Sequence, residues 1–186
     1  MKNLENKLKG LGILVVDMQE TFLDEEDTQF INSQIKLLSF AKDKKIPIFF
    51  LEYIDEGEII KELTETINGY EKYQKILKYN DNEFIVRKDE FLDFIWWETE
   101  KYILGGDSHL DVELKQNKIN KIIIFGVNKN GCVKETSKEA IKRGSKLFTS
   151  DDLMNEKENK KATNWYNQNC EKYFKSCKSL ISYFTK

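Results

Sequence analysis

Lys121-Ile-Ile-Ile-Phe-Gly-Val-Asn-Lys-Asn-Gly-Cys-Val-Lys-Glu-Thr-Ser-Lys-Glu-Ala-Ile-Lys-Arg-Gly144 is the stretch on which the fold turns. Its apolar run Ile122–Phe125 lacks polar alternation, the pattern of a strand buried on both faces of a parallel sheet. A short Gly/Asn turn follows. From about Asn130 to Arg143 the composition is helical, and Gly144 stands where a helix C-cap belongs. Cys132 is therefore expected on the first turn of a helix that leaves a buried strand. Unpaired backbone N–H groups and the positive end of the helix macrodipole favour thiolate over thiol there. Such a cysteine is a candidate nucleophile. The plainer alternative is a small apolar side chain packed into the core.

Working outward from this stretch, β-like runs alternate with helical ones. Leu11–Asp17 is an apolar strand ending in an acid, and Thr28 to about Lys45 has apolar residues at helical spacing. Ile46–Tyr53 predicts a second strand, with Pro47 tolerated at its start. Phe84–Lys88 predicts a third, Ile122–Phe125 a fourth and Lys146–Ser150 a fifth. Helices are expected at Leu110–Lys118 and near Glu156–Cys170, then a last short strand and a helix through Phe184. Two stretches fit the alternation poorly: Ile54–Asn82 and Phe91–Gly106. Repeated β-α-β order predicts a doubly wound α/β fold, a mainly parallel sheet of about six strands with helices on both faces. No Pro-, Gly- or Ser-rich linker divides the chain, so residues 1–186 are expected to form one domain.

Composition narrows the function classes. Charged residues make up 33% and hydrophobic residues 40%, with net charge -2, which offers no basic field for nucleic acid or an anionic membrane. No run approaches the roughly 18 apolar residues of a membrane span. The start, Met-Lys-Asn-Leu-Glu-Asn-Lys, has no apolar h-region, so a cytoplasmic protein is expected. Three cysteines at these spacings fit neither a disulfide framework nor a zinc site, and reduced thiols follow. The lone histidine, His109, leaves no residues for a multi-imidazole metal site and is remote from Cys132 in sequence. If Cys132 is a nucleophile, its base is expected to be a carboxylate. Neither metal nor cofactor is expected.

In doubly wound sheets a site forms beyond the carboxyl ends of the strands. Asp17, Lys88 and Cys132 all fall at such ends, supplying a base, a cation and a thiol, a set sufficient for covalent attack on a carbonyl carbon. Three motifs then resemble the isochorismatase-like cysteine hydrolases, which include nicotinamidases and N-carbamoylsarcosine-type amidases. They are Leu14-Val-Val-Asp17-Met-Gln19-Glu-Thr-Phe22, Ile85-Val-Arg-Lys88-Asp-Glu-Phe91, and Ile123-Ile-Phe-Gly126-Val-Asn-Lys-Asn-Gly-Cys132-Val133-Lys-Glu-Thr136. The resemblance spans about residues 10–180.

It implies an isochorismatase-like, Rossmann-like three-layer fold and a triad of Asp17, Lys88 and Cys132. It also implies a cis peptide at Val127–Asn128 and an oxyanion hole from the N–H groups of Asn128 and Cys132. The activity implied is hydrolysis of a small amide, ureido compound or ester through a thioester. Phe22, Tyr53, Trp96 and the turn at Asn128 are expected around the substrate, and a homo-oligomer, dimer or larger, is expected. Departures matter. Leu51-Glu52-Tyr53-Ile54-Asp55 lacks the Asp-x-His metal motif of nicotinamidases, which argues against a metal and against nicotinamide as substrate. Relatives acting on isochorismate lack the thiol, so Cys132 points to a carbonyl. Lys129 departs from the usual turn residues; it reads either as a solvated lysine or as a cation at the mouth of the site for an anionic substrate. The rival functions are a reactive thiol without hydrolysis and a catalytically silent binding or assembly module. Cys170 and Cys177 are remote from Cys132 in sequence and read as core packing rather than resolving thiols.

Overall fold

Strands buried on both faces require a layer of helices above and below them, and the chain supplies both. The computed structural model describes residues 2–23, 28–53, 56–70, 74–79, 110–155 and 159–186. Among the described residues, six parallel strands form the sheet: β1 (Leu11–Val16), β2 (Ile48–Tyr53), β3 (Gln74–Tyr79), β4 (Lys121–Gly126), β5 (Lys146–Ser150) and β6 (Lys172–Phe174). Their order across the sheet is β3-β2-β1-β4-β5-β6. The helices described are α1 (Lys2–Leu8), α2 (Thr28–Lys44), α3 (Lys61–Thr66), α4 (Leu110–Gln116), α5 (Cys132–Lys142), α6 (Lys160–Asn169) and α7 (Cys177–Thr185). None of the described helices is long and apolar enough to cross a membrane.

Alternation along the strands assigns the layers. Ile13 and Val15 of β1 pack with Phe50, Ile123, Phe125 and Phe148 against α2 (Leu37, Leu38, Ala41) and α7 (Leu180, Phe184). Leu14 and Val16 point the other way, with Phe49, Leu51, Ile122 and Ile124, against α4 (Leu110, Leu114), α5 (Val133, Ala140) and α6 (Tyr166). Helix α5 buries Val133, Thr136, Ser137 and Ala140, the i, i+3, i+4, i+7 stripe of a helix lying on a sheet. It ends at Gly144, whose φ of 85° is the left-handed conformation that glycine adopts without a Cβ penalty.

The strand order creates the place for a site. From β1 the chain runs outward through β2 and β3, then returns to β4 and runs outward the other way. The carboxyl ends of β1 and β4 thus flank the switch point, where the connections diverge and leave a crevice. Gly126 closes β4 hard against β1: its φ is 135°, and a Cβ there would lie 1.9 Å from the Val16 carbonyl oxygen. Only glycine lets the two strand ends approach so closely at the switch point.

Most expected elements are found, with helix ends trimmed: the segment expected at Glu156–Cys170 is helical over Lys160–Asn169. The third strand differs. The strand beside β2 is Gln74–Tyr79, inside a stretch that fits the alternation poorly, because its Gln-Lys-Ile-Leu-Lys-Tyr sequence has only two aliphatic residues. Among the described strands it lies at the edge, where lysines are favoured over a continuous apolar run. Phe84–Lys88 lies outside the described residues, as do Phe91–Gly106, Trp96 and His109.

Candidate active site

Asp17 follows the last residue of β1 with φ of 50°, a left-handed turn that Asp tolerates better than most side chains. Its N–H donates to the Leu51 carbonyl at 3.0 Å, and the residue is buried. Cys132 is the first residue of α5, after Gly131 at the N-cap, and is half-buried. The two meet: the Cys132 thiol donates a hydrogen bond to the Asp17 carboxylate. The backbone N–H groups of Asn128 and of Cys132 itself also lie against the same sulfur. The Val127–Asn128 peptide is cis, where the resemblance placed it.

These contacts correct one expectation. Burial, then the charge of Asp17 and its hydrogen bond, push the Cys132 thiol up, while the two backbone N–H groups pull it down; the net direction is up. The helix start does not make a resting thiolate among the described groups. Asp17 instead holds a protonated thiol beside a built-in proton acceptor, ready for deprotonation when an electrophile arrives.

Lys88 lies outside the described residues. Val16 pairs with Leu51, so Asp17 and Glu52 are the next residues on adjacent strands, and Glu52 pairs with Lys78 of β3. Glu52 is buried. Two carboxylates on neighbouring strand ends in a poorly solvated place favour a cation nearby.

The loops around the rim are fixed by a residue whose role was not legible in sequence. Gln19 is wholly buried, its Nε2 donating to the carbonyls of Tyr53 (2.8 Å) and Gly57 (2.7 Å) and its Oε1 accepting from the Tyr53 N–H (2.7 Å). It welds the loop after β1 to the end of β2. Phe22 and Tyr53 then meet edge to face, with ring centroids 6.3 Å apart. The structure brings these two expected substrate-lining residues together at this weld, and Trp96 lies outside the described residues.

Lys129 is a second correction. It is neither solvated nor at the mouth: its exposure is 0%, and its Nζ donates to Asp151 Oδ1 (2.7 Å) and Thr163 Oγ1 (2.9 Å). A turn lysine facing inward follows only from the packing of α6 and the 3-10 turn Asp151–Leu153 over that turn. Cys170 and Cys177 are packed as expected, and burial pushes the Cys177 thiol up to about 12. Among the described residues, no group of three or more His, Cys, Asp or Glu is placed to hold a metal.

The isochorismatase domain model matches residues 12–172. No curated protein matches the sequence. Among solved structures, a cysteine hydrolase from Pseudomonas syringae pv. phaseolicola 1448A superposes with TM-score 0.70 at 14% identity, covering 97% of this chain and 94% of that one. A nicotinamidase from Staphylococcus aureus gives TM-score 0.64 at 20% identity, covering 86% and 94%. An N-carbamoylsarcosine amidase from Thermoplasma acidophilum gives 0.66 at 14%, covering 90% and 96%. At such identities the likeness establishes the fold.

Proposed function

Because the chain belongs to the isochorismatase family, we propose that it is a cysteine-dependent hydrolase of a small carbonyl compound, with Cys132 as nucleophile and Asp17 as general base. The observation that carries this is the thiol donating to the Asp17 carboxylate while two backbone N–H groups face the same sulfur. As a substrate carbonyl approaches, Asp17 takes the thiol proton and Cys132 Sγ attacks the carbonyl carbon. Charge developing on the carbonyl oxygen is met by the N–H groups of Asn128 and Cys132, donors already in place before the reaction begins. Asp17 then passes its proton to the leaving nitrogen or oxygen as the tetrahedral intermediate collapses to a thioester. Water attacks the thioester with Asp17 again as base, and the acid leaves as the thiol is restored.

A cation beside Asp17 completes this scheme by keeping the carboxylate ionised. The sequence motif Ile85-Val-Arg-Lys88 points to Lys88 for that cation. A primary amide or ureido compound is the preferred substrate class, since two of the structural relatives are named a nicotinamidase and an N-carbamoylsarcosine amidase. The absence of the Asp-x-His pattern in Leu51–Asp55 weighs against nicotinamide. The test is a panel of primary amides, ureido acids and esters followed by ammonia or acid release, with mass spectrometry for an acyl adduct on Cys132. Cys132→Ala is expected to be inactive and folded, and turnover that survives the change overturns the assignment. Lys88→Met is expected to lower kcat by about 10²–10³; turnover within a few-fold of wild type removes Lys88 from the scheme.

A further inference from the structure

The turn Val127–Gly131 carries the Asn128 N–H, and it is held by side chains that come from far along the chain. Lys129 N–H donates to Asn155 Oδ1 (2.9 Å), and the Asn155 amide in turn donates to Asn128 Oδ1 (2.7 Å). The Lys129 carbonyl accepts from the Tyr166 hydroxyl at 2.8 Å. Its ammonium reaches Asp151 and Thr163, and the Tyr173 hydroxyl donates to the same Asp151 oxygen. Both peptide planes of Lys129 are therefore fixed, and so is the end of its side chain.

We propose that the pair of buried Lys129 and half-buried Asp151 is a positioning device for catalysis, holding the turn so that the Asn128 N–H stays against the Cys132 sulfur. An apolar residue of the same length would fill the space, but it would give the turn no directional tie. The ammonium supplies one: it binds the 3-10 turn Asp151–Leu153 and α6 to the residue next to Asn128. Asn128 is anchored from the other side as well, its carbonyl accepting from the N–H groups of Gly131 (2.9 Å) and Val133 (3.3 Å). Releasing Lys129 thus frees one end of a short turn whose other end is the start of α5. Cys132 reports the consequence, because the Asn128 N–H is one of the two donors that stabilise its thiolate. The ionisable group that sets the same thiol from a neighbouring element is Asp17 at the end of β1.

The test is the rate of Cys132 alkylation by iodoacetamide at fixed pH near neutrality, read on the Cys132 peptide by mass spectrometry, which needs no substrate. Wild type is compared with Lys129→Met, Asp151→Asn and Thr163→Val, and with Leu180→Ala, a core change in the opposite helix layer. Lys129→Met is expected to slow alkylation at fixed pH near neutrality about twofold or more, as a thiolate losing one hydrogen-bond donor must. Thr163→Val should slow it less, and Leu180→Ala should lower the melting temperature without changing the rate. An unchanged rate in folded Lys129→Met overturns the proposal; so does a faster one, which would mean that the pair only keeps water out. Should Lys129→Met fail to fold, Thr163→Val and Asp151→Asn decide by the same criterion. On any substrate the wild type hydrolyses, Lys129→Met should also lower kcat at least about tenfold with KM within about threefold. That last arm rests on the hydrolase reading, whereas the alkylation arm stands if no substrate is found.

Discussion

Replacing Asp17 by Asn should make Cys132 more reactive toward an alkylating reagent and less able to catalyse hydrolysis, two opposite effects from one change. Asp17 acts on the thiol twice in the resting enzyme, through its negative charge and by accepting the S–H hydrogen bond, and both favour the protonated form. Burial remains in Asp17→Asn, as do the N–H groups of Asn128 and Cys132. A like charge at hydrogen-bond distance typically shifts a titrating group by about one to three pH units, so removing it raises the thiolate fraction about 10- to 1,000-fold well below the midpoint. The thiolate so exposed is intrinsically weaker, with a Brønsted slope of about 0.4–0.5, which trims the expected gain in alkylation rate to about 3- to 50-fold. Hydrolysis should move the other way by about 10²–10⁴-fold, since asparagine neither takes the thiol proton nor delivers one to the leaving group. The assay is iodoacetamide labelling of the Cys132 peptide at fixed pH near neutrality, beside turnover of whichever amide, ureido compound or ester the wild type hydrolyses. Slower or unchanged labelling in a folded variant refutes the proton-holding role of Asp17. Retained turnover refutes its role as base.

Gly126→Ala should abolish folding or cost several kcal/mol, because its Cβ would sit 1.9 Å from the Val16 carbonyl and its φ is 135°; recovery of soluble protein with wild-type melting behaviour would contradict this. Gln19→Ala should destabilise by about 3 kcal/mol, three hydrogen bonds to buried or half-buried backbone groups at about 1 kcal/mol each. Urea titration would measure the loss, and a change below about 1 kcal/mol would mean that water replaces the amide without cost. Stability should also fall as pH rises above about 8.5, where thiols of the unfolded chain begin to ionise while the folded ones stay protonated. The Cys177 thiol, pushed up to about 12 chiefly by burial, contributes to this loss. Its stabilising share is complete below about pH 8.5 and disappears toward pH 12, so Cys177→Ala should flatten the decline by up to about 1.4 kcal/mol per pH unit. Parallel urea titrations between pH 8 and 11 would show an unchanged slope if this were wrong.

The sequence by itself determined the local pieces of the site. Four aliphatic or aromatic residues in a row at Ile122–Phe125 have the pattern of a strand covered on both sides, and a Gly-rich turn before helical composition puts Cys132 on the first turn of α5. Asp17 at the end of an apolar run was readable for the same reason, since strand pattern and strand end are both properties of neighbours in the chain. What only the tertiary structure decided is burial and register. Lys129 has the composition of a solvated turn lysine, yet Asp151, Thr163 and Tyr166, 22 to 37 residues away, make it one of the most buried charged groups described. Strand Gln74–Tyr79 carries too weak an apolar signal to be found locally, and its pairing with β2 is what sets Lys78 level with Glu52. The thiol's protonation followed the same rule: a helix start favours the thiolate, but desolvation and a carboxylate delivered from a strand 115 residues earlier outweigh it. Local patterns fix which element a residue joins, because they depend on short-range sterics and amphipathic period. Charge states and strand partners depend on what long-range packing brings within a few ångströms, and the chain's order does not encode that distance.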